Sequence, residues 1–246
     1  MGIIINGRDE TKAKKLEYYY NKEIDKIISK IPNTLNEIEK LRFLYEYFVK
    51  NIEYDHDLRI NRGENGKNYA FDSKTYNYKD IEVPMVQKYS ALLCKKSICD
   101  GISNAFKDIC EKIGIKCEVL EGTTTIQHGW NLVSVNGEPK HIDITWGIFN
   151  KEYNYMKYFL MSQEEIMNSH VKIINNEQYK NALNNLNISN YNPPKEVGGI
   201  RIYGEEKPTK KVGGIRIHGE EKPPKEVGGI KIYGIDKNEK TSHKTR

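Results

Sequence analysis

The dipeptide Asn136-Gly137 constrains this chain more than any other feature. Both central positions of a type I′ turn need positive φ, which Asn and Gly tolerate, and the flanking Val135 and Glu138 then become cross-strand partners. Counting outward, Trp130 is expected to face Asp143 and His128 to face Thr145. His128, Trp130, Asp143 and Thr145 then share one face, with His128 and Asp143 as diagonal neighbours within reach of an imidazole. Val133, Val135, Ile142, Ile144 and Trp146 are expected on the opposite face, as core. A slip of one residue would separate the pair, so the turn decides whether these side chains meet.

Upstream, Ser97-Ile98-Cys99-Asp100-Gly101-Ile102-Ser103 reads as a helix start. Ser97 and Asp100 fit the spacing of a capping box, and Ala105, Phe106, Ile109, Cys110 and Ile113 recur on one helical stripe before Gly114 stops it. Cys99 falls in the first turn, where unpaired N–H groups and the positive end of the helix dipole favour a thiolate. Taken singly, Cys99 could be a small core residue, His128 a structural histidine and Asp143 a strand-end carboxylate. Together they supply nucleophile, base and orienter.

Four stretches carry a family resemblance. They are Cys99-Asp100-Gly101-Ile102-Ser103-Asn104-Ala105-Phe106, Gly114-Ile115-Lys116-Cys117-Glu118-Val119, His128-Gly129-Trp130-Asn131 and His141-Ile142-Asp143-Ile144-Thr145-Trp146. In combination they resemble the transglutaminase-like superfamily, closest to its bacterial and kyphoscoliosis-peptidase-like branch, over roughly residues 35 to 170. The resemblance implies an α+β, papain-like transglutaminase core with N-terminal helices and an antiparallel sheet. It implies Cys99 as nucleophile, His128 as base and Asp143 as orienter, with no cofactor and no metal. It leaves the reaction open among protease, amidase, deamidase and cross-linking chemistry. It also leaves open the oxyanion donor beyond the Cys99 N–H; Gln87 and Tyr89 lie upstream, but no motif selects either.

The remaining sequence frames this core. A first helix is expected from about Thr11 to Ile31, ended by Pro32, and a second behind a Thr34/Glu37 capping box with Leu35, Ile38, Leu41, Leu44, Tyr45, Phe48 and Ile52 on its apolar side. Residues 53–90 turn polar and irregular, as a cleft-bordering loop or a surface excursion with two short strands would, and His56 within them reads as a surface residue. Ser162-Gln163-Glu164-Glu165 opens a short helix ending near His170. The spacings of Cys94, Cys99, Cys110 and Cys117 resemble no zinc knuckle. Cys110 and Cys117 read as core, and Cys94 as a packed residue close enough to Cys99 to raise redox control. No run reaches the apolar length of a membrane span, and Met1–Ile5 leads straight into charge, unlike a signal peptide. The default location is cytoplasmic, although non-classical export would leave no mark in the sequence.

The boundaries expected are an N-terminal segment and helix at 1–32, the catalytic core at 33–190 and a flexible tail at 191–246. In the tail a 15-residue unit occurs three times, at 196–210, 211–225 and 226–240, each with Val-Gly-Gly-Ile-Arg/Lys-Ile-Tyr/His-Gly. Residues 195–246 hold 13 Lys/Arg and 8 Asp/Glu against 39 and 34 in the whole chain, so the net +5 resides in the tail. Its charges are mixed and no nucleic-acid motif accompanies them, which disfavours nucleic acid as a partner. The expected partner is a protein or peptide substrate, with partner or self-substrate engagement through the repeats. The alternative is a catalytically weak binding or scaffold protein that engages a partner through the same repeats. Deleting residues 195–246 is expected to preserve the thermal transition of the remainder; loss of that transition would place the repeats inside the core.

Overall fold

The computed structural model describes residues 10–56, 75–84 and 88–188. The expectations for the tail repeats, and Gln87, lie outside the described residues.

Two helices lead. In α1 (Glu10–Ile28), Leu16, Tyr20, Ile24 and Ile27 are buried. The helix stops three residues before the expected Ile31 and unwinds through shorter hydrogen-bonded turns, Lys30 N–H to the Ile27 carbonyl and Ile31 N–H to that of Ile28. In α2 (Glu37–Asn51) the capping box is Asn36/Glu39, not Thr34/Glu37: Asn36 Oδ1 accepts the Glu39 N–H at 3.0 Å and Glu39 Oε2 accepts the Asn36 N–H at 2.9 Å. Asn caps as well as Thr does, and the register with its acid two residues later leaves Leu41, Leu44, Tyr45, Phe48 and Val49 buried on the inner stripe.

After α2 comes β1 (Glu53–Tyr54), and later a hairpin of β2 (Thr75–Tyr78) and β3 (Ile81–Pro84). A single π-helical turn, Ser90–Cys94, ends on left-handed Lys95 and feeds β4 (Lys96–Ser97), which pairs in parallel with β1. Ser97 therefore does not cap the next helix. Its backbone is paired to β1, and its hydroxyl lies 2.8 Å from the buried Ser90 hydroxyl. Helix α3 (Cys99–Lys112) instead starts from Ile98 without a side-chain cap, and Gly114, at φ +82°, follows its end as expected.

Among the described residues, the main sheet has four antiparallel strands in the order β7-β6-β5-β8: β5 (Cys117–Thr123), β6 (Gln127–Val135), β7 (Glu138–Ile142) and β8 (Ile173–Ile174). Asn136 and Gly137 have φ of 54° and 79°, and Val135 pairs with Glu138, so the turn sets the expected register. The strand then ends sooner than the alternation implies. β7 stops at Ile142, Asp143 becomes the N-cap of α4 (Ile144–Phe149), and Thr145 and Trp146 are helical. His128 consequently does not face Thr145; it pairs with Gly122 on its other side. Short-range capping outcompetes strand continuation because the Asp143 carboxylate can accept the Trp146 N–H, at 3.0 Å.

α5 (Gln163–Ser169) begins at the expected Ser162/Glu165 capping box, and α6 (Asn176–Asn185) follows β8. Gln178 on α6 covers the outer backbone of β5: it accepts the Glu121 N–H at 2.8 Å and donates to the Val119 carbonyl at 3.2 Å, blunting an exposed sheet edge. One continuous core joins these elements; Phe48 of α2, for example, meets Phe106 of α3 edge-on at 5.4 Å.

The contact that fixes α4 is close. Gly147 lies against Tyr45 and Val49 of α2, where a β-carbon would collide with the Tyr45 ring and approach Val49 Cγ2 to 2.9 Å. The Tyr45 hydroxyl is itself anchored on the Tyr155 carbonyl. Gly147→Ala is therefore expected to destabilise the protein by about 1–3 kcal/mol through overpacking, measured by chemical unfolding. Unchanged stability would show that α2 does not clamp α4.

Candidate active site

The sequence-predicted residues converge. Cys99 is the first residue of α3 and is 4% exposed. Its helix is tied to β6 by two buried bonds: Ser103 Oγ donates to the Gly129 carbonyl at 3.2 Å and Asn131 Nδ2 donates to the Ser103 carbonyl at 2.9 Å. His128, one residue before Gly129, is thereby held beside the helix start, where the Cys99 thiol acts on its charge. Its Nε2 lies 2.6 Å from Asp143 Oδ2, so Nδ1 is the ring nitrogen left for the thiol. Trp130, two residues along β6, stacks on the imidazole with centroids 5.8 Å apart. Cys99 Sγ is also 3.7 Å from Asp100 Oδ1.

Asp143 is fully buried and accepts three hydrogen bonds. Oδ1 takes the Trp146 N–H, while Oδ2 takes His128 and a second imidazole, His170 Nε2, at 2.9 Å. Sequence reasoning placed His170 only as the end of a helix. It stands 27 residues beyond Asp143, and no local periodicity joins the two. The end of α5 turns its side chain inward, where it is 2% exposed and packs on Trp146 at 4.4 Å between ring centroids.

The charges follow from this packing. For His128, burial opposes the cation, but the Asp143 carboxylate and the Cys99 thiol outweigh it and push the imidazole up to about 10. Burial alone would raise Asp143; His128 and His170 reverse that and hold the carboxyl below its usual range. Two further thiols are shifted upward. Burial pushes Cys94 up to about 11, and burial with neighbouring Cys117 raises Cys110 well above an ordinary thiol. All four cysteines are unpaired by disulfides. Tyr89, weighed as an oxyanion donor, gives its hydroxyl to Glu17 at 2.6 Å.

His128, Asp143 and His170 bring three metal-capable atoms within 4.8 Å of one another. Their separations of 2.6 and 2.9 Å are hydrogen-bond lengths. Ligands about 2.0 Å from a tetrahedral zinc would stand roughly 3.3 Å apart, farther than these two contacts.

No protein-family model and no curated protein matches the chain. The solved structures that are similar to it include two of related description. One is a TGase, at 16% identity over 57% of this chain and 34% of that one, with a TM-score of 0.40. The other is described as a candidate cysteine protease from Cytophaga hutchinsonii, at 10% identity over 58% and 45%, with a TM-score of 0.36. This chain thus spans between a third and a half of the length of those chains. At such scores neither likeness decides the reaction, and the chemistry is argued from the site. Among the described residues no helix is long and apolar enough to cross a membrane.

The ion pair sets a pH dependence. The His128 imidazole has a folded pKa above its ordinary 6.5, so its contribution to stability is complete below about 6.5 and is lost as pH rises through about 10. Asp143, being depressed, contributes above the ordinary carboxylate range, and the two shifts describe one shared interaction. Between pH 6.5 and 10 the wild-type melting temperature is expected to fall toward that of Asp143→Asn, whose own curve is flatter there. Parallel curves for the two proteins would show that the pair is not charged in the folded state.

Proposed function

We propose that the protein is a cysteine-dependent enzyme with a transglutaminase-like, papain-like core that acts on amide bonds of a protein or peptide through Cys99, His128 and Asp143. One observation carries this: a cysteine at a helix start stands beside an imidazole whose Nε2 is fixed by a buried carboxylate. A cysteine needed only for packing has no use for that constellation. The tail, residues 191–246, is proposed as a separate segment that engages the partner or substrate.

In the reactive state Cys99 is a thiolate and His128 an imidazolium, protonated on Nδ1 toward sulfur and on Nε2 toward Asp143. The thiolate attacks the amide carbonyl carbon, and the carbonyl π electrons move to oxygen. The Cys99 N–H, at the first helical position where helix donors lack intrahelical partners, is the donor proposed for that oxyanion. His128 passes its Nδ1 proton to the amine as the C–N bond breaks, leaving a thioester and a neutral imidazole. Water or an amine then gives a proton to His128 as it attacks the thioester, and the thiolate leaves. Asp143 keeps the ring turned and its Nε2 proton in place throughout. The outcome is hydrolysis with water and transamidation with an amine.

Two measurements test the proposal. A thiol-reactive probe at neutral pH should label Cys99 far faster than Cys94, Cys110 or Cys117; equal slow labelling of all four would sink the enzyme. Incubating a proteome with wild type and with Cys99→Ala, then reading it by mass spectrometry, identifies the reaction. New peptide ends mean proteolysis, a gain of about one mass unit at Gln means deamidation, and isopeptides mean cross-linking. No Cys99-dependent product would leave the binding or scaffold alternative.

A further inference from the structure

We infer, building on the cysteine-enzyme reading above, that His170 is a positioning residue of the same site: it locks the carboxylate that orients His128. Asp143 Oδ1 is fixed by the Trp146 N–H, and Oδ2 is the oxygen on which His128 depends. A carboxylate held at one oxygen can still rock about its side-chain bond. A second N–H on Oδ2, at 2.9 Å from His170, removes that freedom.

His170 donates to Asp143 only if its own proton sits on Nε2, and the neighbouring bonds place it there. Nδ1 lies 2.6 Å from Ser169 Oγ. That hydroxyl has one proton to give, and two acceptors are near: His170 Nδ1 and the Ile166 carbonyl, 3.0 Å away. The Ile166 carbonyl already accepts the backbone N–H groups of His170 and Val171, each at 3.1 Å. The hydroxyl proton therefore goes to Nδ1, which leaves Nδ1 bare and Nε2 protonated. The ring plane is set by Trp146, at 4.4 Å and 30°, and by Tyr158, edge-on at 5.5 Å. A chain of three hydrogen-bond contacts results, from Ser169 to His170 to Asp143 to His128, which stands beside Cys99.

This arrangement also governs where a proton rests. Two N–H groups on one oxygen disperse its charge, so the Nε2 proton stays on His128 when Cys99 ionises. The titratable groups facing this cluster are Cys99, His141, Tyr45 and Tyr158, and none of them donates to Oδ2 in the contacts above. A hydrophobic ring at 170 would keep the packing on Trp146 and lose the donor. Glutamine would keep an N–H near the position of Nε2.

The experiment measures the rate of Cys99 alkylation by iodoacetamide at neutral pH, resolved by peptide mass spectrometry, in full-length wild type, His170→Phe and His170→Gln. His170→Phe is expected to slow alkylation about tenfold, the scale of one hydrogen bond to a charged group, and His170→Gln to recover most of the loss. In wild type, nitrogen-15 NMR of the imidazoles should show His170 with a bare Nδ1 and a protonated Nε2; this holds even if a variant fails to fold. Wild-type rates in His170→Phe, or a proton on His170 Nδ1 with bare Nε2, would overturn the role while Cys99 stays fast. Stoichiometric zinc in the purified protein, lost in His170→Gln, would overturn it by making His170 a metal ligand. Slow Cys99 in wild type would instead remove the cysteine-enzyme reading, and the role of His170 with it.

Discussion

A carboxylate with no access to water sits where three elements meet. Burying Asp143 would be prohibitive unless each oxygen were matched, and the fold supplies a donor from α4, one from β6 and one from the end of α5. The requirement runs outward from there. β6 and β7 must hold their register so that His128 and Asp143 meet diagonally, which the Asn136-Gly137 turn enforces. α4 must begin at residue 144, which the same carboxylate enforces by capping it. α2 must press on Gly147 so that α4 does not drift. Removing one partner of such a buried pair typically costs about 3–5 kcal/mol, because the charge left behind has no solvent. The hairpin register, the start of α4 and the placing of His128 thus bear on one side chain.

Much of this was legible, and what was missed follows a physical pattern. The type I′ turn was readable because Asn-Gly is a two-residue signal with a steric cause, and two residues suffice to set five cross-strand pairs. The Ser162/Glu165 box was readable for the same reason. The failures came where two local rules competed. Asp143 in an alternating run predicts a strand residue, yet Asp also caps helices, and only the packing of α4 on α2 decides between them. Ser97 and Asp100 had capping-box spacing, but β4 took Ser97 into a parallel ladder that no local pattern announces. Cys99 nonetheless reached the first turn of α3, since an apolar stripe from Ala105 to Ile109 fixes the helix whichever residue caps it. His170 was beyond reach altogether: its role depends on a contact between residues 143 and 170, and a long-range contact leaves no period in one sequence.

Three histidines lie near that carboxylate, and their surroundings sort them into different states. His128 has the Asp143 carboxylate at Nε2 and the Cys99 thiol nearby, and both push the imidazole up to about 10 despite its burial. His141 is equally enclosed, yet Trp130 Nε1 donates into its Nδ1 at 2.9 Å. A lone pair is demanded there, the ring must be neutral, and burial drives it down to about 3 even with Asp143 nearby. His170 has the acceptor of the first and the donor of the second: Asp143 draws a proton to Nε2 while Ser169 occupies Nδ1. Distance from Asp143 alone does not separate these cases. His141 and His170 both have a polar neighbour at Nδ1, and what separates them is Nε2, which meets the Asp143 carboxylate in His170 and in His141 has no hydrogen-bond partner among the described residues. An indole N–H keeps His141 neutral, a hydroxyl beside Nδ1 leaves Nε2 of His170 for Asp143, and His128 lies beside a thiol.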